Sequence, residues 1–156
     1  MDTDRNLTHV DEHGRAQMVD VGHKPPMQRT AVAEGIFSAQ PETLDRLEQG
    51  DLPKGEALAV ARIAGIQAAK SCESLIPLCH SLPLDSVHVD FDRLDREQLR
   101  VRATTSTTAK TGVEMEALTA VSVAALALYD MAKGIDRNLC ITGVRLVEKR
   151  KVAIES

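Results

Sequence analysis

Aromatic residues are almost missing: Phe37, Phe91 and Tyr129 are the only ones, and tryptophan is absent. Base-stacking platforms for single-stranded nucleic acid are not expected, since they need aromatic faces. Cysteine is scarce as well. Cys72, Cys79 and Cys140 are too few and too scattered for a disulfide framework. No Cys-x-x-Cys pair exists, which excludes a zinc ribbon or a thioredoxin-type centre. Basic charge is not in surplus: 19 Lys and Arg face 23 Asp and Glu, a formal net charge of −4. A general nucleic-acid binder would need the opposite balance to release counterions. The uncharged run Ala117–Tyr129 is shorter than the ~20 residues of a bilayer span. The polar, acidic start Met1–Asn6 does not read as a signal peptide, so a reducing cytoplasm is the expected setting.

What is present is an ordinary globular composition: 156 residues, 43% hydrophobic and 27% charged. One domain is the default at this length, and its core must be built from Ala, Val, Leu and Ile. Residues 1–17 are polar and read as a mobile N-terminal arm; 18–156 read as a single catalytic domain.

Alternation of apolar and polar residues predicts strands over Gln28–Ser38, Ser86–Phe91, Leu99–Thr107 and, more loosely, Cys140–Glu148. The middle two should form an antiparallel hairpin. A short helix starts at Pro41 and closes at Gly50. A second helix is expected from Pro53 to about Glu73; its middle is so rich in small residues that another backbone must approach closely. Thr111-Gly-Val-Glu114 has capping-box spacing and opens a helix that runs to Lys133 and stops at Gly134. That helix is uncharged on every face between Glu116 and Asp130, so it should be buried all round. One small sheet cannot cover both its sides, and a subunit interface is inferred. The order strand, helix, strand, strand, helix, strand is the ferredoxin-like βαββαβ arrangement, an α+β fold with helices on one face of an antiparallel sheet.

Several polar residues stand out. Lys54 falls in the first turn of the expected second helix, where the dipole disfavours a cation; it is either a solvated lysine near the helix start or one held there to bind a phosphate together with backbone N–H groups. Cys79 and His80 sit in a proline-framed loop and could be nucleophile and base, metal ligands or substrate contacts. Glu114 is explained as the capping-box glutamate. Glu116 complements the helix dipole, but two residues apart the pair points about 200° apart and cannot enter one cleft from a regular helix. Asp130 and Lys133 share one helical face at the end of the apolar helix, either as an exposed ion pair or beside a pocket at a subunit boundary.

The segments Lys54–Lys70, Leu75–His80, Lys110–Ala125 and Tyr129–Lys133, with Leu7-Thr-His and Met18–Val21, resemble the cyclic pyranopterin monophosphate synthase family, accessory protein C of molybdenum-cofactor biosynthesis. The resemblance covers roughly residues 7–149. It implies a lyase that converts 3′,8-cyclo-7,8-dihydroguanosine triphosphate to cyclic pyranopterin monophosphate and releases pyrophosphate. It implies a homohexamer, a trimer of dimers, with active sites at subunit interfaces. Carried over by motif, Asp130, Lys133 and Lys54 are catalytic. Leu78, Cys79, His80, Glu114, Met115, Glu116 and Lys149 bind substrate. No cofactor, no metal, no nucleic acid and no membrane are expected.

This chain has Ser81 where the family usually has proline, and it ends in Arg150–Ser156 where the family usually continues into a glycine-rich tail. A non-catalytic nucleotide sensor would use the same lysines without Asp130. A Cys/His metal protein would carry stoichiometric zinc.

Overall fold

The computed structural model describes residues 8–155. The strands are β1 (Met27–Ser38), β2 (Ser86–Arg93), β3 (Gln98–Ala109) and β4 (Cys140–Val152). They form one antiparallel sheet in the order β2-β3-β1-β4. The helices are α1 (Pro41–Gln49), α2 (Ala57–Lys70), the one-turn α3 (Cys72–Leu75) and α4 (Glu114–Ala132). This is the ferredoxin-like α+β topology, with α1 and α3 as additions.

The alternation that marked the strands places their apolar set on the helical face. Ala31, Ala33 and Phe37 of β1, Val89 of β2 and Leu99, Val101 and Ala103 of β3 are all buried there. The α1 helix ends where Gly50 adopts φ +68° and donates its N–H back to Leu47, a left-handed cap that glycine adopts without Cβ strain. Its entry is held from outside the helix: the carboxylate of Asp136 accepts from the Gln40 N–H at 2.8 Å and from the Asn138 N–H at 2.8 Å.

The small residues of α2 do what their size requires. Ala57, Ala61, Gly65, Ala68 and Ala69 are buried, and a Cβ added at Gly65 would lie 2.9 Å from the Ala120 carbonyl oxygen of α4. The two helix backbones therefore meet at Gly65.

Three expectations are corrected. The second helix starts at Ala57, not Pro53, because Leu52–Gly55 closes a tight turn with Gly55 at φ +102°. It also breaks at Ser71, and α3 follows as a separate turn. The α4 helix is not buried all round within one chain. Its sheet side is covered by β1 and β3 and a second side by α2, but Leu126 is 58% exposed, and Met115 and Tyr129 are also exposed. Finally, α4 as a whole is long and apolar enough to cross a bilayer, which the uncharged run alone is not; more than half of it is buried inside this fold.

Of the expected arm, residues 1–7 lie outside the described residues. Residues 8–17 form a turn in which Val10 bridges Ala16 and Asp11 accepts from the His13 and Arg15 N–H groups.

Candidate active site

Two groups of candidate residues form, one at each end of α4. At the C-terminal end Asp130 Oδ1 lies 2.6 Å from Lys133 Nζ and Asp130 Oδ2 lies 3.0 Å from Lys54 Nζ. The pair Asp130 and Lys133 follows from their three-residue spacing on one helical face. Lys54 arrives from the turn ahead of α2. It is not in the first helical turn, so no helix dipole opposes its charge. Its ammonium also donates to the Asp130 carbonyl oxygen at 3.0 Å, which complements the negative end of α4.

All three side chains are about half exposed. The Lys133 ammonium, then that of Lys54, hold the Asp130 carboxyl below its ordinary value. Asp130 in turn raises Lys133 above the ordinary lysine value. Two neighbouring cations alone would pull a lysine toward neutrality. Within one chain the carboxylate between the two lysines reverses this and holds Lys133 protonated.

At the N-terminal end of α4 a cavity of about 310 Å3 is bordered by Leu78, Cys79, His80, Glu114, Met115 and Glu116. Every substrate-binding candidate except Lys149 therefore reaches one cavity. Both glutamates border it, which corrects the expectation that two residues apart they could not enter one cleft; they do so with different partners. Glu114 is the first residue of α4 and forms an ion pair with Lys149 of β4. It is not a capping-box residue: the N-cap is Val113, with no side-chain cap. The Lys149 ammonium takes the carboxylate instead. Glu116 is 3% exposed and accepts from the Cys79 thiol at 3.8 Å. Burial is the main reason its carboxyl titrates above the ordinary value. Burial, with Cys72 and Glu116 alongside, pushes the Cys79 thiol up to about 12, so it is not a thiolate nucleophile at neutral pH.

Leu78 precedes Cys79 with φ +64°, a left-handed conformation that a branched side chain rarely adopts. Such strain costs on the order of 1–3 kcal/mol and is retained where surrounding structure enforces it. His80 Nε2 donates to the Val19 carbonyl oxygen at 2.6 Å, which ties the loop to the segment before β1.

Sequence reasoning missed a second, basic cavity of about 610 Å3, which shares Lys24, Thr111 and Gly112 with the first. Lys24, Arg29, Lys110, Lys149 and Lys151 border it. No linear pattern reveals it, because it is made by cross-strand register: Arg29 of β1 faces Lys151 of β4, and Ala31 faces Lys149. Also unforeseen is Cys72, whose sulfur lies 3.8 Å from that of Cys79.

Sheet and helices together define an α+β domain of ferredoxin-like topology with two adjoining polar cavities. The particular family follows from comparison. The MoaC family profile matches residues 18–151. The chain is 60% identical over 146 residues to the cyclic pyranopterin monophosphate synthase of Roseiflexus sp. (strain RS-1), covering 92% of each. It is 54% identical over 145 residues to the enzyme of that name from Novosphingobium aromaticivorans, covering 93% of this chain and 92% of that one. It is 57% identical over 145 residues to the one from Pelotomaculum thermopropionicum, covering 92% and 85%. The chain belongs to the MoaC family.

Proposed function

We infer that this chain is a cyclic pyranopterin monophosphate synthase. It is a lyase of molybdenum-cofactor biosynthesis that converts (8S)-3′,8-cyclo-7,8-dihydroguanosine 5′-triphosphate to cyclic pyranopterin monophosphate and releases pyrophosphate. The observation that carries this reading is the near full-length match to synthases at 54–60% identity.

The chemistry asks for proton transfers while the imidazole ring opens and the pyrazine ring closes. It then asks a sugar hydroxyl to attack the α-phosphate. The new O–P bond forms as the α–β phosphoanhydride breaks, the hydroxyl proton passes to a base, and pyrophosphate departs. In our reading Lys133, kept charged by Asp130, gives a proton, and Lys54 shares the acid/base work. The cavity with Cys79, His80 and Glu116 takes the ring system, Glu114 and Met115 complete its wall, and Lys149 binds from the adjoining basic cavity. The basic cavity next to it takes the phosphates. An acidic protein thereby concentrates positive potential only where an anionic substrate needs it.

The two halves of this machinery are far apart in one chain. Asp130 and Glu114 are separated by sixteen positions of a helix, about 24 Å at 1.5 Å per residue. A single substrate cannot bridge that distance from one subunit. We therefore read the protein as a homohexamer, a trimer of dimers, in which Lys54, Asp130 and Lys133 of one chain complete the cavity of another. The exposed Leu126 and Tyr129 beside Asp130 support a contact there. A reducing cytoplasm suits the free cysteines.

The test is incubation of the purified protein with the cyclic dihydroguanosine triphosphate. Pyrophosphate and the pterin should appear together in equal amounts. A folded oligomer that binds this nucleotide without turnover would make it a sensor instead.

A further inference from the structure

One cluster on the wall of the first cavity has no part in this reaction as a set. Cys72 opens α3, Cys79 lies seven residues on in the loop, and Glu116 projects from the first turn of α4. The two sulfurs are 3.8 Å apart, Cys79 Sγ is 3.8 Å from Glu116 Oε1, and the three donor atoms all lie within 4.8 Å of one another. Cys72 is 2% exposed. The second carboxylate oxygen of Glu116, Oε2, is buried without any hydrogen-bond partner. A buried, orphaned carboxylate oxygen is costly unless something else compensates it.

We propose that Cys72, Cys79 and Glu116 form a binding site for a thiophilic divalent metal ion of the zinc class. The distances fit it. Two zinc–sulfur bonds of about 2.3 Å at a tetrahedral angle put the sulfurs about 3.8 Å apart, and a sulfur and a carboxylate oxygen about 3.5 Å apart. Two of the three donor–donor separations, 3.8 Å each, therefore stand near the edge lengths of such a tetrahedron, and the third is within 4.8 Å. The charge balance fits as well. The ion displaces the two thiol protons to solvent, and the resulting two thiolates and one carboxylate surround a dication.

Sulfur selects zinc and cadmium over magnesium or calcium, which prefer all-oxygen sites. Cys79 and Glu116 border the cavity, from which a water can supply a fourth ligand. The Thr119 hydroxyl, 3.5 Å from Cys72 Sγ, orients that sulfur from behind. His80 is not a member: the donor atoms that lie within 4.8 Å of one another are those of Cys72, Cys79 and Glu116. The site is thus neither the Cys/His pair that the sequence suggests nor visible in any local spacing.

The experiment uses the full chain with Cys140→Ser, which removes the exposed third thiol, in the presence of a non-thiol reductant. Cadmium titration should give a thiolate-to-metal charge-transfer band saturating at one ion per chain. Zinc should be taken from a chromophoric chelator with the same stoichiometry, and magnesium should not compete. Cys72→Ala should weaken affinity by at least about 100-fold, as loss of a direct ligand requires. It should leave turnover unchanged, because Cys72 has no part in substrate binding. Glu116→Gln should weaken zinc binding while keeping the thiolate band, which covers the case in which Cys72→Ala fails to fold. Absence of the band, or an unchanged affinity in both variants, would overturn the site. So would oxidation of Cys72 and Cys79 to a disulfide in place of metal uptake once the reductant is removed.

Discussion

The Lys54 ammonium meets Asp130 twice, 3.0 Å from its carboxylate Oδ2 and 3.0 Å from its main-chain carbonyl oxygen. The link joins the turn before α2 to the last turn of α4. It leaves the other carboxylate oxygen, Oδ1, free for Lys133 at 2.6 Å. One carboxylate thus holds two lysines at fixed separation and raises Lys133 above the ordinary lysine value.

Asp130→Asn keeps the shape of this arrangement and removes its charge. Turnover should fall by on the order of 10²–10⁴, the usual weight of a positioned acid/base group. Affinity for a non-reactive triphosphate analogue should stay within a few-fold or tighten, because a negative charge near the phosphates is gone. A binding titration and a pyrophosphate-release assay on the same preparation check this. Turnover like the wild type would remove Asp130 from the reaction. Joint loss of binding and turnover in a native oligomer would make it a builder of the pocket.

Gly65→Ala tests the helix contact rather than the chemistry. The added Cβ would stand 2.9 Å from the Ala120 carbonyl oxygen, 3.1 Å from the Ala124 Cβ and 3.1 Å from Val89. Two of these neighbours are backbone or a bare methyl and cannot rotate away. Overpacking of this kind costs about 1–3 kcal/mol, more than alanine's better helix propensity returns. Denaturant unfolding should show a lower midpoint with an unchanged slope. A midpoint equal to or above the wild type would mean that α2 and α4 can slide apart freely.

Asp136→Asn probes acid stability. Burial raises the Asp136 carboxyl, but the Gln40 and Asn138 N–H groups and the Thr43 hydroxyl outweigh it, and it titrates below the ordinary 3.8. A carboxyl lowered in the folded state contributes stability above its unfolded value and loses it as pH falls through its folded value. At neutral pH the variant should lose about 1–3 kcal/mol, since an amide NH2 or a weaker acceptor faces the two buried donors. The gap to wild type should close as pH drops below 3.8, where the wild-type group also becomes protonated. A gap that stays constant with pH would show that the charge of Asp136 is irrelevant.

How far the sequence anticipates this arrangement depends on distance along the chain. The strands β1, β2 and β3 are legible because each buries one face, and alternation records that directly. Asp130 and Lys133 are legible because three residues on a helix is a contact. The start of α2 is not, because Pro53 is a good first helical residue and only the φ of Gly55 shows that the helix waits until Ala57. Glu114 misleads for a related reason. Its spacing from Thr111 fits a cap, but Lys149 from β4 competes for the carboxylate and wins. The basic cavity depends on the pairing of β1 with β4, and the Cys72–Glu116 approach on the packing of α3 beside α4. Both are products of tertiary structure, and no local pattern encodes them.

The separation of the two candidate groups along α4 makes a sharper prediction than any single substitution. Lys54→Ala removes a residue from one end and Lys149→Ala one from the other. Each variant alone should lose turnover by on the order of 10²-fold or more while melting close to the wild type, because exposed ion pairs contribute little to stability. If every site draws Lys54 from one subunit and Lys149 from another, a mixed dimer contains one site with both residues intact and one with neither. Random reassembly of equal amounts should then restore about a quarter of wild-type turnover, since half of the dimers are mixed and half of their sites are whole. Denaturing and refolding the two variants together, against each refolded alone, provides the comparison. Recovery in the mixture only requires a site shared across an interface. No recovery, with native oligomers in every sample, would place both lysines in the service of one chain and leave the 24 Å between the two ends of α4 unexplained by assembly.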